Sequence, residues 1–271
     1  MARFLQACAL VILGFWAAGA QSGAFDDPLR FVTTTSVRDS GLLDYLLPKF
    51  PAAHPGQVTT TVAGSGKALR MARNGQADVV LVHAPAAERK FVEDGYSSGH
   101  RPVMRNDFVI VGPAEDPAGV TDSTDVIEAL RRIAASGSIF VSRGDDSGTN
   151  KKELTLWEQA GVQPYAKPWY LEAGSGMAQS LRLAELEKAY LLIDRATYLV
   201  QRQAGTAILL QDPARLYNPY SVIAVNPHKV AGVNARDAAT LVDWLTSPAG
   251  QAEIAAYQHQ GQRLFFPASA R

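Results

Sequence analysis

The chain has 271 residues, 47% of them hydrophobic, and its 26 basic and 26 acidic residues balance to a formal net charge of +0. That is enough apolar material for one large domain or two small lobes. The Lys and Arg residues are scattered among Asp and Glu rather than gathered in a stripe, which argues against a nucleic-acid partner.

Residues 1–20 stand apart. Arg3 precedes an almost wholly apolar run from Phe4 to Trp16 and the small residues Ala18-Gly19-Ala20. This reads as a secretory signal peptide cleaved after Ala20. The run is short for a membrane span and ends in small rather than basic residues. The single cysteine, Cys8, lies inside the leader, too early to follow an apolar core as a lipoprotein cysteine would. The mature chain then has no cysteine, which excludes a disulfide framework and thiolate-bound zinc. A soluble exported protein of a bacterial periplasm fits these features.

Leu29 to Thr34 reads as a strand, followed by Thr35-Ser36-Val37-Arg38-Asp39-Ser40-Gly41 and a helix carrying Leu42, Leu43, Leu46, Leu47 and Phe50. Val58 to Val62 is a second strand, leading through Ala63-Gly64-Ser65-Gly66-Lys67 into a helix that ends at Gly75. Ala77 to Val82 is a third, with Pro85 opening the next helix and Gly95 closing it. Two apolar strands, Phe108–Val111 and Tyr220–Val225, each stop before a proline and bracket the middle of the chain. They are expected to pair as strands crossing between lobes. Between them runs a helix over 125–135, a strand at Ile139–Val141 and the turn Ser142 to Glu153. A helix to Gln159 with Gly161 as its stop follows, then a strand near Trp169–Leu171, the turn Ala173 to Met177 and a helix through Leu186. A strand at Tyr190–Ile193, a helix over 196–202 and a strand at Ala207–Leu210 complete the series. The tail over 238–257 is helical with a break at Pro248. Strands alternating with helices indicate parallel α/β sheets, which bind ligands at the carboxyl ends of their strands.

Four turns rich in glycine and hydroxyl residues fall at such ends: Thr34–Ser36, Ser65-Gly66, Arg143 to Thr149, and Ser175-Gly176. Each taken alone is weak. Gly64-Ser65-Gly66-Lys67 fails as a phosphate loop because Thr61 and Ala68 stand where its first glycine and its hydroxyl belong. Ala63 and Ala173 break the nucleophile-elbow pattern around Ser65 and Ser175. His54, His83, His100, His228 and His259 show no metal-ligand spacing and read as surface or capping histidines. Asp145-Asp146 are expected to hold Arg143 or to cap the following helix. Together the turns suit an anion: helix-start N–H groups and hydroxyls replace lost hydration, and one guanidinium offsets charge. Hydroxyl donors favour a fully deprotonated tetrahedral oxyanion. Phosphate or sulfate remains an alternative, with Asp145 or Asp146 as the acceptor a protonated anion would need, and a secreted hydrolase using Ser65 or Ser175 is a second.

Thr33-Thr34-Thr35-Ser36, Asp39-Ser40-Gly41-Leu42-Leu43, Gly64-Ser65-Gly66-Lys67-Ala68-Leu69 and Ser142 to Lys152 together resemble the tungstate-binding proteins of TupA type, periplasmic substrate-binding components of ABC importers. The resemblance covers nearly all of the mature chain. It implies a two-lobed α/β periplasmic-binding-protein fold of type II, with two sheets joined by crossing strands. One discontinuous lobe would comprise 25–110 plus 219–271 and the other 111–218, closing over tungstate or molybdate. It further implies a monomer without cofactor or catalysis that delivers its ligand to a membrane permease. Carried over by position, Thr34, Thr35 and Ser36 match the first binding turn and Ser65, with Gly66, the second. Arg143 matches the anion-contacting arginine, Ser147 and Thr149 share its motif, and Ser175 and Gly176 match the last turn less closely. Asn150 stands where the family commonly has histidine, an amide that donates a hydrogen bond and never becomes cationic.

Overall fold

The computed structural model describes residues 27–50 and 57–268. The expected leader, Cys8 and His54 lie outside the described residues. Runs rich in the β-branched residues Val and Thr form the first strands, β1 (Leu29–Thr33), β2 (Val58–Val62) and β3 (Val79–Val82). Helices α1 (Thr35–Asp39) and α2 (Leu42–Leu46) follow β1, α3 (Ser65–Arg73) follows β2 and α4 (Pro85–Glu93) follows β3. Next comes β4 (Ser97–Pro113), 17 residues long, which at about 3.3 Å per residue is long enough to cross the whole molecule.

The second series is α5 (Val126–Ser136), β5 (Phe140–Ser142), α6 (Gly148–Ala160), β6 (Tyr170–Glu172), α7 (Met177–Leu186), β7 (Tyr190–Asp194), α8 (Arg195–Gln201) and β8 (Thr206–Leu210). Strand β9 (Tyr217–Val225) leads back, and α9 (Ala235–Thr246) and α10 (Pro248–Ala256) pack on the first lobe. Three short strands, β10 (Gln258–His259), β11 (Gln262–Arg263) and β12 (Phe266–Pro267), end the described chain.

The main path of the sheet runs β2-β1-β3-β9-β4-β7-β5-β6. Strand β1 pairs parallel with β2 and β3, and β5 parallel with β6 and β7. Period-2 alternation divides each apolar run between two cores. Phe31, Leu81 and Val222 face one core of the first lobe, and Val32, Val80, Val82 and Ile223 face the other. Phe108, Ile110 and Leu192 do the same against Val109, Val111, Leu191 and Ile193 in the second. With both faces covered, these strands read as continuous apolar runs.

The crossing differs from expectation. Phe108–Val111 pairs with Asp194–Leu191 of β7, while Tyr220–Val225 lies between β3 and the first half of β4, from Ser97 to Met104. The change of partners therefore falls at Asp107/Phe108 and Leu216/Tyr217, where the Phe108 N–H reaches the Leu216 carbonyl at 2.8 Å. The first half of β4 carries Ser97-Ser98-Gly99-His100-Arg101-Pro102, with register shifts at Ser97/Gly99 and Pro102/Met104. Bulges interrupt the alternation that would have marked it as a strand. The turn after β1 is itself the short helix α1, and α6 begins at Gly148, inside the stretch expected to be a turn.

Glu153 of α6 ties the second lobe together from within. It is 2% exposed; Ser142 Oγ donates to Oε2 at 2.5 Å, and Trp157 Nε1 and Tyr170 Oη donate to Oε1 at 2.9 and 2.7 Å. Burial pushes the carboxyl up to about 7 against these donors. The unfolded chain holds this proton only near the ordinary carboxyl range. Glu153 protonation therefore adds stability as pH falls from about 7 toward 4.5, and that contribution is lost on the way back up. Thermal unfolding of wild type and Glu153→Gln at pH 8 and pH 5 should show a larger acid-side gain in melting temperature for the wild type. Equal gains would mean that Glu153 does not titrate.

Candidate functional site

Parallel pairing brings the carboxyl ends of β1, β2 and β3 to one edge of the first lobe, and those of β5, β6 and β7 to one edge of the second. These edges face each other. A Cβ added to Gly64 would lie 3.2 Å from Ser147, one on Gly66 would lie 2.6 Å from the Asp146 carbonyl, and one on Gly176 would lie 3.4 Å from Thr35. The Gly66 N–H donates to the Asp146 carbonyl at 3.3 Å, and the Ala178 N–H to Asp39 Oδ2 at 3.4 Å. Helices α3 and α7 start at this meeting point behind Gly64 and Gly176, neither of which offers a side-chain cap.

Thr34, Ser36, Ser65, Arg143, Ser147 and Thr149 are all 1% exposed or less. Thr34 Oγ1 lies 3.0 Å from Ser36 Oγ, which is 3.1 Å from Tyr220 Oη and 3.4 Å from His83 Nε2. Arg143 extends under the β6–α7 turn, its Nε donating to the Ser175 carbonyl at 3.3 Å and its Nη2 to Asp145 Oδ2 at 2.5 Å. Two hydroxyl oxygens, Thr35 Oγ1 and Thr149 Oγ1, are buried with no hydrogen-bond partner. Such groups are costly unless something fills their capacity. Thr35 and Gly176 also line a polar cavity of about 450 Å³ together with Arg38, Asp39 and Arg182.

The remaining expected residues occupy less direct positions. Ser65 Oγ accepts the His83 backbone N–H at 3.3 Å, and Ser147 Oγ caps α6 by accepting the Asn150 N–H at 3.2 Å. Ser175 contributes its carbonyl to Arg143, and its hydroxyl turns to Ser180 Oγ at 3.4 Å. Asp145 holds Arg143 and also accepts the Ser147 N–H at 3.2 Å, in line with expectation. Asp146 instead pairs with Lys151 and, across the cleft, with Arg70. Asn150 staples the turn: its Nδ2 donates to Ser142 Oγ at 3.3 Å and its Oδ1 accepts the Asp146 N–H at 3.2 Å.

His83 corrects the sequence reading of a surface or capping histidine. It is 3% exposed, stacks on Tyr220 at 4.6 Å between ring centroids, and sets Nδ1 3.0 Å from Asn218 Oδ1. Burial pushes its pKa down to about 4, against the Asn218 bond and helped by the Arg143 charge, so the ring is neutral. Asn218 Nδ2 donates to Asn106 Oδ1 at 2.6 Å, and Asn106 Nδ2 reaches Asp194 Oδ1 at 3.4 Å. Sequence reasoning overlooked this chain of His83, Asn218, Asn106 and Asp194. Position was the available clue, since His83 and Asp194 sit at or just past the carboxyl ends of β3 and β7, level with the recognised turns.

Comparison with known proteins agrees with this geometry. A model of the PBP superfamily domain matches residues 19–249. The tungstate-binding protein TupA of Peptoclostridium acidaminophilum is 42% identical over 244 residues, covering 88% of this chain and 85% of that protein. The tungstate ABC transporter structure from Geobacter sulfurreducens superposes with a TM-score of 0.74 at 45% identity, covering 85% of this chain and 99% of that one. TupA from Desulfovibrio alaskensis G20 does so at 0.73 and 41%, covering 89% and 98%. The two lobes, the shared strands and these similarities make the chain a member of the PBP superfamily, in the family of TupA-type tungstate-binding proteins.

Proposed function

We propose that this protein captures tungstate, or the nearly isosteric molybdate, between its lobes in the periplasm and delivers it as a monomer to the permease of an ABC importer. The observation that carries this reading is that the meeting strand edges bring together a buried Arg143 and the hydroxyls of Thr34, Thr35, Ser36 and Thr149, of which Thr35 Oγ1 and Thr149 Oγ1 are unspent. Hydrogen bonds to a charged group contribute about 1.5–3 kcal/mol each, so a handful reaches the roughly 12 kcal/mol of nanomolar binding. Arg182, beside the polar cavity where Arg38 is paired with Asp39, adds positive charge where an incoming anion would pass. The relatives named for tungstate support that ligand over other oxyanions. The expected bodies, 25–110 plus 219–271 and 111–218, are taken to close by rotation about the β4–β9 crossing, with the boundary drawn at the change of partners, Asp107/Phe108 and Leu216/Tyr217.

A serine hydrolase is the weaker reading. The His83 ring faces Ser36 rather than Ser65, and an imidazole held near pKa 4 is a poor general base at neutral pH.

Calorimetry with tungstate, molybdate, sulfate and phosphate in parallel tests the assignment. Tight one-to-one binding of tungstate with sulfate silent is the expected result, whereas tight phosphate or sulfate binding would move the ligand to another oxyanion. Arg143→Ala should weaken tungstate binding about tenfold or more, since one charged bond of about 1.5 kcal/mol is worth that factor. Unchanged affinity would remove Arg143 from the site. Gly66→Ala places a methyl against the Asp146 carbonyl across the cleft. It should lower affinity while moving the melting temperature little, because the clash exists only when the lobes are closed. A large loss of thermal stability without loss of affinity would contradict that account of closure.

A further inference from the structure

Asp39-Ser40-Gly41-Leu42-Leu43 is one of the stretches by which the chain resembles TupA-type proteins, yet Asp39 has no part in the reading above. It ends α1 and is 8% exposed. An acid at the C-terminal end of a helix faces carbonyls rather than N–H groups, the unfavourable end for its charge. Its partners come from further away. Arg38 Nε donates to Oδ1 at 2.8 Å, and the Ala178 N–H of α7 donates to Oδ2 at 3.4 Å. Gln201 Nε2 of α8 donates to the Asp39 backbone carbonyl at 2.8 Å.

A helix start is ordinarily capped by its own N-cap side chain, which accepts the N–H of the second or third helical residue. Ala178 is the second residue of α7, and Gly176 before the helix has no side chain to accept that N–H. The acceptor is instead Asp39, 139 residues away. Helix α7 belongs to the second lobe, with Met177, Leu181 and Ala184 in its core, whereas Val37 of α1 lies in a core of the first. The cap therefore crosses the cleft. The opposite helix start repeats the arrangement. Helix α3 begins behind Gly64, also without a side-chain cap, and the N–H of its second residue, Gly66, goes to the Asp146 carbonyl of the second lobe at 3.3 Å. Each lobe caps a helix of the other. The turn before α7 also carries Ser175, whose carbonyl accepts Arg143 Nε.

We propose that Asp39 is a positioning residue of the oxyanion site, capping α7 from the opposite lobe as the lobes close and so holding the Ser175 carbonyl against Arg143. The inference rests on the oxyanion reading above. When the lobes part, the Asp39 carboxylate and the Ala178 N–H return to water, so their contact favours the closed form alone. The carboxylate also carries a cost. It lines the same polar cavity as Thr35 and Arg182, where its charge opposes an entering dianion, and Arg38 offsets only part of that charge. The cap and the charge thus act on binding with opposite signs, which lets substitutions tell them apart.

Asp39→Ala removes the cap and the charge together, whereas Asp39→Asn keeps an acceptor oxygen and removes only the charge. Calorimetry with tungstate, the rate of tungstate release after rapid dilution, and the melting temperature of the unliganded protein are measured for the wild type and both variants. Asp39→Ala should bind about two- to thirtyfold more weakly, the range of a lost helix cap, chiefly through faster release and with the unliganded melting temperature little changed. Asp39→Asn should bind nearly as tightly as the wild type, or more tightly. Tighter binding by both variants would show a role of charge alone and overturn the proposal. A loss of unliganded stability in Asp39→Ala with affinity unchanged would overturn it as well, since the cap would then persist in the open form. Hydrogen exchange at the Ala178 amide of the wild type needs no variant to fold. Tungstate should slow it, and equal protection with and without tungstate would also overturn the proposal. Each of these outcomes leaves the oxyanion reading intact, whereas a wild type that binds no tungstate or other oxyanion would remove that reading and the proposal with it.

Discussion

Asn106 and Asn218 meet side chain to side chain at 2.6 Å, where β4 and β9 exchange one lobe's sheet for the other's. Both residues are buried, so each amide must find its partners inside the protein. A slip of one residue in this pairing would separate the amides and turn Val222 and Ile223 to each other's core. The register of the crossing therefore fixes which strand ends face the cleft. It also places a polar link at the pivot, with Asn218 reaching His83 and Tyr220 on one side and Asn106 reaching Asp194 on the other.

Elsewhere the lobes meet through α8, whose Ala196 joins the first lobe's core with Leu199 and Val200 packed against it and whose Gln201 Nε2 donates to the Asp39 carbonyl at 2.8 Å, and through an exposed ion pair. The Arg70–Asp146 pair spans the cleft with side chains 60% and 40% exposed. Exposed pairs contribute about 0–1 kcal/mol and are screened by salt. The glycines at Gly64, Gly66 and Gly176 permit approach and supply little attraction of their own. The buried polar groups at the two strand edges, Arg143 and the hydroxyls of Thr35 and Thr149 among them, are those a ligand in the cleft can engage. A ligand that touches both strand edges stabilises the closed form by its differential contacts there.

Local chemistry made part of this legible from residues alone. A strand followed by small and hydroxyl residues and then a helix is a short-range pattern, so Thr34–Ser36, Ser65 and Arg143 stand out. The rest depends on partners distant in sequence. The first half of β4 is polar and bulged, so neither its strand character nor its pairing with β9 has a local mark. His83 looks like any isolated histidine until Asn218, 135 residues away, is brought to 3.0 Å. Asp194 looks like an ordinary helix cap until Asn106, 88 residues away, is brought to 3.4 Å from its carboxylate. Ser175 shows the opposite failure: its residue type suggested a hydroxyl contact, but its carbonyl is the group that orients Arg143.

The pairing of Arg143 with Asp145 bears on what kind of binding this site can perform. A lone buried guanidinium would attract any anion strongly and release it slowly. Paired at 2.5 Å, it presents directed N–H groups with little net charge. Affinity then comes from the placing of neutral donors, and discrimination comes from whether four oxygens fit them at once. Asn150 belongs to the same logic. It fixes Ser142 and Asp146 through its amide and adds no charge beside Arg143, where a protonatable ring would make the field of the turn depend on pH. The turn is thus built for geometric selection of an anion.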